Sequence, residues 1–113
     1  MHELSIALDI IEIAEENARK ANASVITEIE LDIGSQAGVV IEALEFAIES
    51  AKKDTMLEKA NWVINEIPAL ARCNSCHQEF ETEDLFSPCP KCSNPFSDIF
   101  QGKELRVKSL KVE

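Results

Sequence analysis

The chain has 113 residues, a length typical of one ordinary domain or of a small core joined to a metal-stabilised module. Its formal net charge of −10 disfavours nucleic-acid binding, because phosphate contacts need clustered Lys and Arg side chains. No apolar run approaches the ~20 residues that cross a bilayer, and the first residues lack the basic start of a signal peptide. These features predict a soluble cytoplasmic protein with neither nucleic acid nor membrane among its partners.

The first half of the chain alternates between helical and strand periodicity. Residues 4–22 carry apolar side chains at spacings of three and four, which predicts an amphipathic helix. In residues 24–33 apolar and acidic side chains alternate, the pattern of a strand with one buried face. Gly34–Gly38 interrupts the pattern, and residues 40–53 return to helical spacing.

Two further strands are predicted, at residues 57–70 and 103–112. The expected fold is α+β, with two helices covering one face of a small three-stranded sheet in which the last strand runs beside residues 57–70. A zinc-ribbon-like module is inserted between these last two strands. The expected domains are residues 1–70 with 103–113, and the cysteine-containing residues 71–102.

Four cysteines form two C-x2-C pairs with twelve residues between them: Cys73, Cys76, Cys89 and Cys92. Tetrahedral zinc takes four thiolates, and a pair of such loops can supply them, so the spacing predicts a closed structural Zn²⁺ site. Two disulfides would need an oxidising compartment, and nearby prolines disfavour the helix that follows a redox C-x-x-C. A rubredoxin-like iron centre stays open, because iron shares the tetrahedral four-sulfur geometry.

The N-terminal tripeptide Met1-His2-Glu3 is a second candidate metal site. The α-amine of Met1, the backbone nitrogen of His2 and its imidazole can lie in one plane around Ni²⁺ or Cu²⁺, and Glu3 can add a further ligand. The amine must first lose its proton, so binding is expected to strengthen as pH rises. Alone, a histidine at this position is more often part of a frayed, solvated terminus.

His77 follows the second cysteine directly and has two interpretations. It is either an exposed loop residue or a group that tunes the neighbouring thiolates and links pH to the zinc site.

Several stretches together resemble the HypA/HybF family of nickel-insertion accessory proteins for [NiFe]-hydrogenase maturation. They are the Met-His-Glu-Leu-Ser start, the stretch from Gly34 to Phe46, the two cysteine pairs, and Gly102-Lys-Glu-Leu105, and they span essentially the whole chain. The resemblance implies that Met1, His2 and Glu3 bind the transported Ni²⁺, in an α/β domain separate from the zinc domain. Some members have an acidic residue near position 40, where this chain has Val40.

The resemblance also implies partners and a mode of action. Family members work with the GTPase HypB to deliver nickel to the hydrogenase large subunit, and some also serve urease. No nucleophile–base pair or Gly-rich phosphate loop is present, so a non-enzymatic metallochaperone is expected. The alternatives are a zinc-ribbon module that binds proteins but carries no labile metal, and an iron-based electron carrier.

Overall fold

A computed structural model describes residues 2–83 and 87–113. The elements in chain order are α1 (His2–Lys20), β1 (Ile26–Gly34), α2 (Ile41–Ala51), β2 (Asn61–Ile67), β3 (Ala69–Cys73), β4 (Glu79–Thr82), β5 (Ser97–Gln101) and β6 (Leu105–Val112). The strands form two three-stranded sheets, with orders β2-β1-β6 and β4-β3-β5. The α+β class predicted from periodicity is therefore confirmed.

Helix α1 ends where the backbone changes conformation at Asn22. This residue has a φ of +58°, and the N–H of Ala23 donates to the carbonyl of Ala18 at 3.0 Å. Asn tolerates this left-handed conformation, and the bond satisfies a carbonyl that the helix end would otherwise leave free. The buried stripe of the helix consists of Ile6, Ala7, Ile10, Ile11, Ala14 and Ala18.

Strand β1 is the central strand of the first sheet, with β2 and β6 on its two sides. The alternation predicted for it is present, since Ile29, Leu31 and Ile33 are all buried. The expected pairing of residues 103–112 with residues 57–70 is wrong, because β6 pairs with β1 instead. A sequence shows which residues form strands more readily than which strand lies in the middle.

The opposite face of this sheet is polar and charged. Acidic side chains of β1 pair with basic side chains of β6: Asp32 with Arg106 at 2.8 Å, Glu30 with Lys108 at 3.5 Å, and Glu28 with Lys111 at 3.3 Å. Opposite charges on neighbouring strands favour this pairing over alternatives that would place like charges together.

The single strand predicted at residues 57–70 is also wrong in its extent. Residues 57–60 form turns, and the rest divides at Pro68 into β2 and β3, which belong to different sheets. Proline has no N–H to donate to a strand ladder, so it is a natural point for the chain to leave one sheet and enter another.

The described chain divides into two compact units. The helical unit comprises Met1–Asp32, Val39–Asn65 and Arg106–Glu113, and the cysteine unit comprises Ile33–Gly38 and Glu66–Leu105. Within the described residues, no helix is long and apolar enough to cross a membrane.

Candidate metal centres

The four cysteines converge at one point of the cysteine unit. Their sulfur atoms all lie within 4.8 Å of one another, at 3.5 Å between Cys73 and Cys92 and 3.6 Å between Cys76 and Cys89. A tetrahedron with bonds of about 2.3 Å to a central zinc has edges of about 3.8 Å, close to these separations. The arrangement therefore fits one metal ion held by four thiolates.

Each cysteine pair sits on its own loop, and the two loops share one backbone hydrogen-bond pattern. The N–H of Cys73 donates to the carbonyl of Gln78 at 2.9 Å, and the N–H of Cys89 donates to the carbonyl of Asn94 at 3.0 Å. His77 and Ser93 follow the second cysteine of each pair with φ values of +63° and +65°. Each donates its N–H back to the carbonyl of the first cysteine, at 3.1 Å and 2.8 Å.

Backbone N–H groups point at the first sulfur of each loop. Ser75 and Cys76 donate to the sulfur of Cys73 at 3.3 Å and 3.5 Å, and Lys91 donates to that of Cys89 at 3.4 Å. The bonds from Cys76 and Ser75 outweigh burial and lower the pKa of Cys73 to about 6. These donors favour the thiolate that binds metal.

The neighbouring sulfur atoms have the opposite effect on the pKa of Cys92. Asn94 donates a backbone bond that favours its thiolate, but the neighbouring Cys73 sulfur and burial raise its pKa to about 12. Four sulfur atoms this close cannot all be ionised without a cation to balance them. The cluster thus favours a dication chemically as well as geometrically.

The cysteines are not paired in disulfides. All four are free thiols, and the shortest sulfur–sulfur separation, 3.5 Å, is far above the ~2.05 Å of a disulfide bond. Cys73 and Cys89 are buried, and Cys92 is exposed.

The N-terminal candidate lies in the helical unit, at the start of α1. His2 is the first residue of the helix and is exposed, while Met1, the third proposed ligand, lies outside the described residues. Glu3 is half-buried, and its carboxylate accepts a bond of 3.3 Å from the backbone N–H of Val40 at the start of α2. Val40 makes no side-chain cap for that helix, so Glu3 supplies an acceptor there.

His77 is exposed and lines an open cavity of about 220 Å³ with Arg72, Asn74 and Asp98 among its neighbours. Its backbone role in the loop is plain from its left-handed conformation and its bond to Cys73. The hypothesis that its side chain tunes the thiolates stays a prediction.

The sequence interpretation did not include two features of these sites. The contact between Glu3 and Val40 joins residues 37 positions apart, and no local pattern signals it. The left-handed conformation at His77 and Ser93 was also missed, although the repeated position after each C-x2-C pair is a signal that could have identified it.

A four-thiolate centre in one compact unit, with an exposed N-terminal histidine in another, defines a small metal-binding protein. Residues 1–112 match the family described as hydrogenase/urease nickel incorporation metallochaperone, HypA, and the chain belongs to this family. It is therefore a nickel metallochaperone of hydrogenase maturation and not an enzyme, and its four-cysteine site is of the kind that holds zinc.

The chain matches individual relatives over all or nearly all of both lengths. The chain is 48% identical to the hydrogenase maturation factor HypA of Parabacteroides distasonis, covering 100% of this chain and 98% of that protein. It is 42% identical to the HypA of Geobacter metallireducens, with both chains covered completely. The solution structure of the Ni metallochaperone HypA from Helicobacter pylori is similar, with a TM-score of 0.69 and 26% identity over 97% of this chain and 96% of that one.

Proposed function

We propose that this protein binds Ni²⁺ through His2, the amine of Met1 and Glu3, and delivers it for the maturation of [NiFe]-hydrogenase. The observation that carries the proposal is the exposed position of His2 as the first residue of α1. The first N–H groups of a helix have no intrahelical partner, so the His2 backbone nitrogen can be deprotonated for metal without breaking a helical bond. Few, exposed ligands suit release to a partner by stepwise exchange.

Glu3 can serve this site in two ways at once. Its Oε2 accepts the bond from the N–H of Val40, which holds the tripeptide against α2, and its other carboxylate oxygen remains to contact nickel. Position 40 is Val and carries no carboxylate that could bind nickel. We therefore propose that the carboxylate of Glu3 completes the nickel shell.

The four cysteines are proposed to hold a structural Zn²⁺. Four thiolates and a dication leave a centre with two negative charges, which the N–H groups of Ser75, Cys76 and Lys91 stabilise. Metal analysis of the purified protein tests this assignment: one zinc per chain is expected, and one iron would favour an electron carrier instead. We accordingly propose two domains: residues 1–70 with 103–113 bind nickel, and residues 71–102 bind zinc.

The partners proposed from the family are a HypB-like GTPase and the hydrogenase large subunit, with urease maturation proteins as a further client system, all in the cytoplasm. A cellular assay tests this function. Cells lacking the endogenous chaperone should regain hydrogenase activity with the wild-type gene or with His77→Ala, but not with His2→Ala. Full restoration by His2→Ala would contradict the N-terminal nickel site and favour the alternative, a zinc-ribbon interaction module without labile metal.

A further inference from the structure

An apolar groove runs between the two helices of the helical unit. It has a volume of about 280 Å³ and is lined by Glu3, Leu4, Ala43, Phe46, Ala47 and Ser50. The residues from α2 recur at spacings of three and four, so they form one continuous stripe along that helix. We refer to this feature as the α1–α2 groove.

Phe46, the largest side chain that lines the groove, is exposed far more than is usual for its size. Phe46 is 78% exposed, and Leu8, one helical turn beyond Leu4 on α1, is 51% exposed. Exposed apolar clusters of this kind on small proteins are typical of surfaces that bind a partner. Aromatic residues beside a pocket commonly contribute much of the binding energy at such surfaces.

The surroundings of the groove are acidic. Neither residues 2–18 nor residues 41–51 contain a Lys or Arg. The exposed acidic side chains on the two helices are Asp9, Glu12, Glu16, Glu42, Glu45 and Glu49. Two of them already form ion pairs at the ends of the helices, Glu16 with Lys20 and Glu49 with Lys52. A second copy of this surface, or an anionic membrane, would meet like charges here, whereas a basic partner would meet opposite ones.

We propose that the α1–α2 groove docks an amphipathic basic helix of a partner protein. An apolar side chain of that helix enters the groove beside Phe46, and its Lys or Arg side chains meet the surrounding carboxylates. Because Glu3 lines the groove and also contacts Val40, a docked helix would lie directly beside the proposed nickel ligands. This last consequence rests on the proposed function, whereas the docking itself does not.

A designed peptide probes the groove directly. Binding of a dye-labelled 18-residue Leu/Lys amphipathic helix is followed by fluorescence anisotropy, with a Leu/Glu helix of the same pattern as its control. Phe46→Ser should weaken binding of the Leu/Lys helix about ten-fold or more, a loss typical of an aromatic anchor. Phe96→Ser should bind like the wild type, because Phe96 is 69% exposed but lies in the cysteine unit. Ala43→Lys, an exposed helical position, should weaken binding by charge repulsion.

Three results would overturn the proposal: equal binding to wild type and Phe46→Ser, equal binding of the Leu/Glu helix, or a wild-type dimer that Phe46→Ser abolishes. The dimer, measured by sedimentation, would make the occupant a second copy. His2→Ala should bind the peptide normally, and Phe46→Ser should bind nickel normally. Failure of the docking proposal is therefore distinguishable from failure of the nickel site.

Discussion

His77 and Ser93 occupy equivalent positions in the two cysteine loops, and both adopt a left-handed backbone conformation. That conformation lets each N–H turn back to the carbonyl of the first cysteine, which brings the two sulfur atoms of the loop together. At this position the loop requires a left-handed backbone conformation, and this requirement does not depend on the imidazole of His77. Substitutions at His77 can separate the two roles.

Changing His77 to a β-branched residue should destabilise the metal-loaded protein. His77→Val should cost about 1–2 kcal/mol, because side chains branched at Cβ are strained in the left-handed region. His77→Gly should be at least as stable as wild type. Thermal unfolding measures both, with Gln78→Val as the control, since Gln78 is exposed and lacks a positive φ. Equal stability of His77→Val and wild type would contradict the backbone role.

Asp32 should make the helical unit sensitive to acid. Its carboxylate is buried and accepts bonds from Asn65 at 3.0 Å and Arg106 at 2.8 Å, which lower its pKa below the ordinary 3.8. A lowered pKa in the folded state stabilises the fold above pH 3.8, and this contribution is lost as pH falls through the folded value.

The test compares Asp32→Asn with wild type in urea unfolding followed by Trp62 fluorescence. Asp32→Asn should be less stable at pH 7, and the difference should shrink as pH falls below 3.8. Glu16→Gln is the control, because Glu16 is 61% exposed and its ion pair with Lys20 is long, at 3.9 Å. A stability difference for Asp32→Asn that stayed constant down to pH 3 would show that this carboxylate does not carry the effect.

The backbone at the end of β1 packs directly against the backbone around Gly102, because Gly34 has no side chain to separate them. The N–H of Gly34 donates to Glu104 at 2.7 Å, and a methyl group on Gly34 would overlap the carbonyl of Gly102. Gly102 itself has a φ of +111° and lies against the backbone of Ala69. Two strand connections therefore pass at a separation that only glycine permits.

Gly34→Ala should accordingly destabilise the protein by roughly 3 kcal/mol or more, because the backbone must move to accept the methyl group. Gly38→Ala is the matched control. Gly38 also has a positive φ, +77°, but no atom of the described residues lies within 4 Å of the added carbon, so the cost should be about 1 kcal/mol. Denaturant unfolding of both variants measures the difference, and equal losses would mean that the close approach is unimportant.

Whether an element could be predicted from the sequence depends on whether local residue spacing encodes it. Both helices, β1 and the cysteine cluster could be predicted because each is encoded by local spacing, such as the alternation at Ile29 and Leu31. The division of residues 57–70 at Pro68 was missed because a β-rich stretch continues on both sides of it. The pairing of β6 with β1 brings together residues distant in sequence, such as Asp32 and Arg106, and local patterns do not reveal such contacts.

The whole molecule consists of two units with different sources of stability. Buried Ile and Leu side chains of α1, β1 and α2 form the core of the helical unit. Apart from Ile33, the buried apolar residues of the cysteine unit are smaller: Ala69, Ala71, Cys73 and Cys89. A module of this size and core needs its metal to remain folded.

Removing the metal should therefore unfold the cysteine unit and leave the helical unit folded. Removing the metal with a chelator, without denaturant, should move the amide NMR signals of residues 66–105 into the narrow chemical-shift range of an unfolded chain. Fluorescence of Trp62, the single tryptophan, should stay native because β2 carries it in the helical unit. Restoring zinc should return the lost signals. Simultaneous loss of both sets of signals would instead indicate one cooperative fold.

We expect nickel to bind at the N-terminus and not at the cysteine cluster. Calorimetric titration of Ni²⁺ into zinc-loaded wild type, His2→Ala and the control His77→Ala tests this expectation, with zinc counted in each protein. His2→Ala alone should lose nickel binding, while all three proteins should retain one zinc per chain. Equal nickel binding by His2→Ala and wild type would contradict this expectation and place the nickel elsewhere.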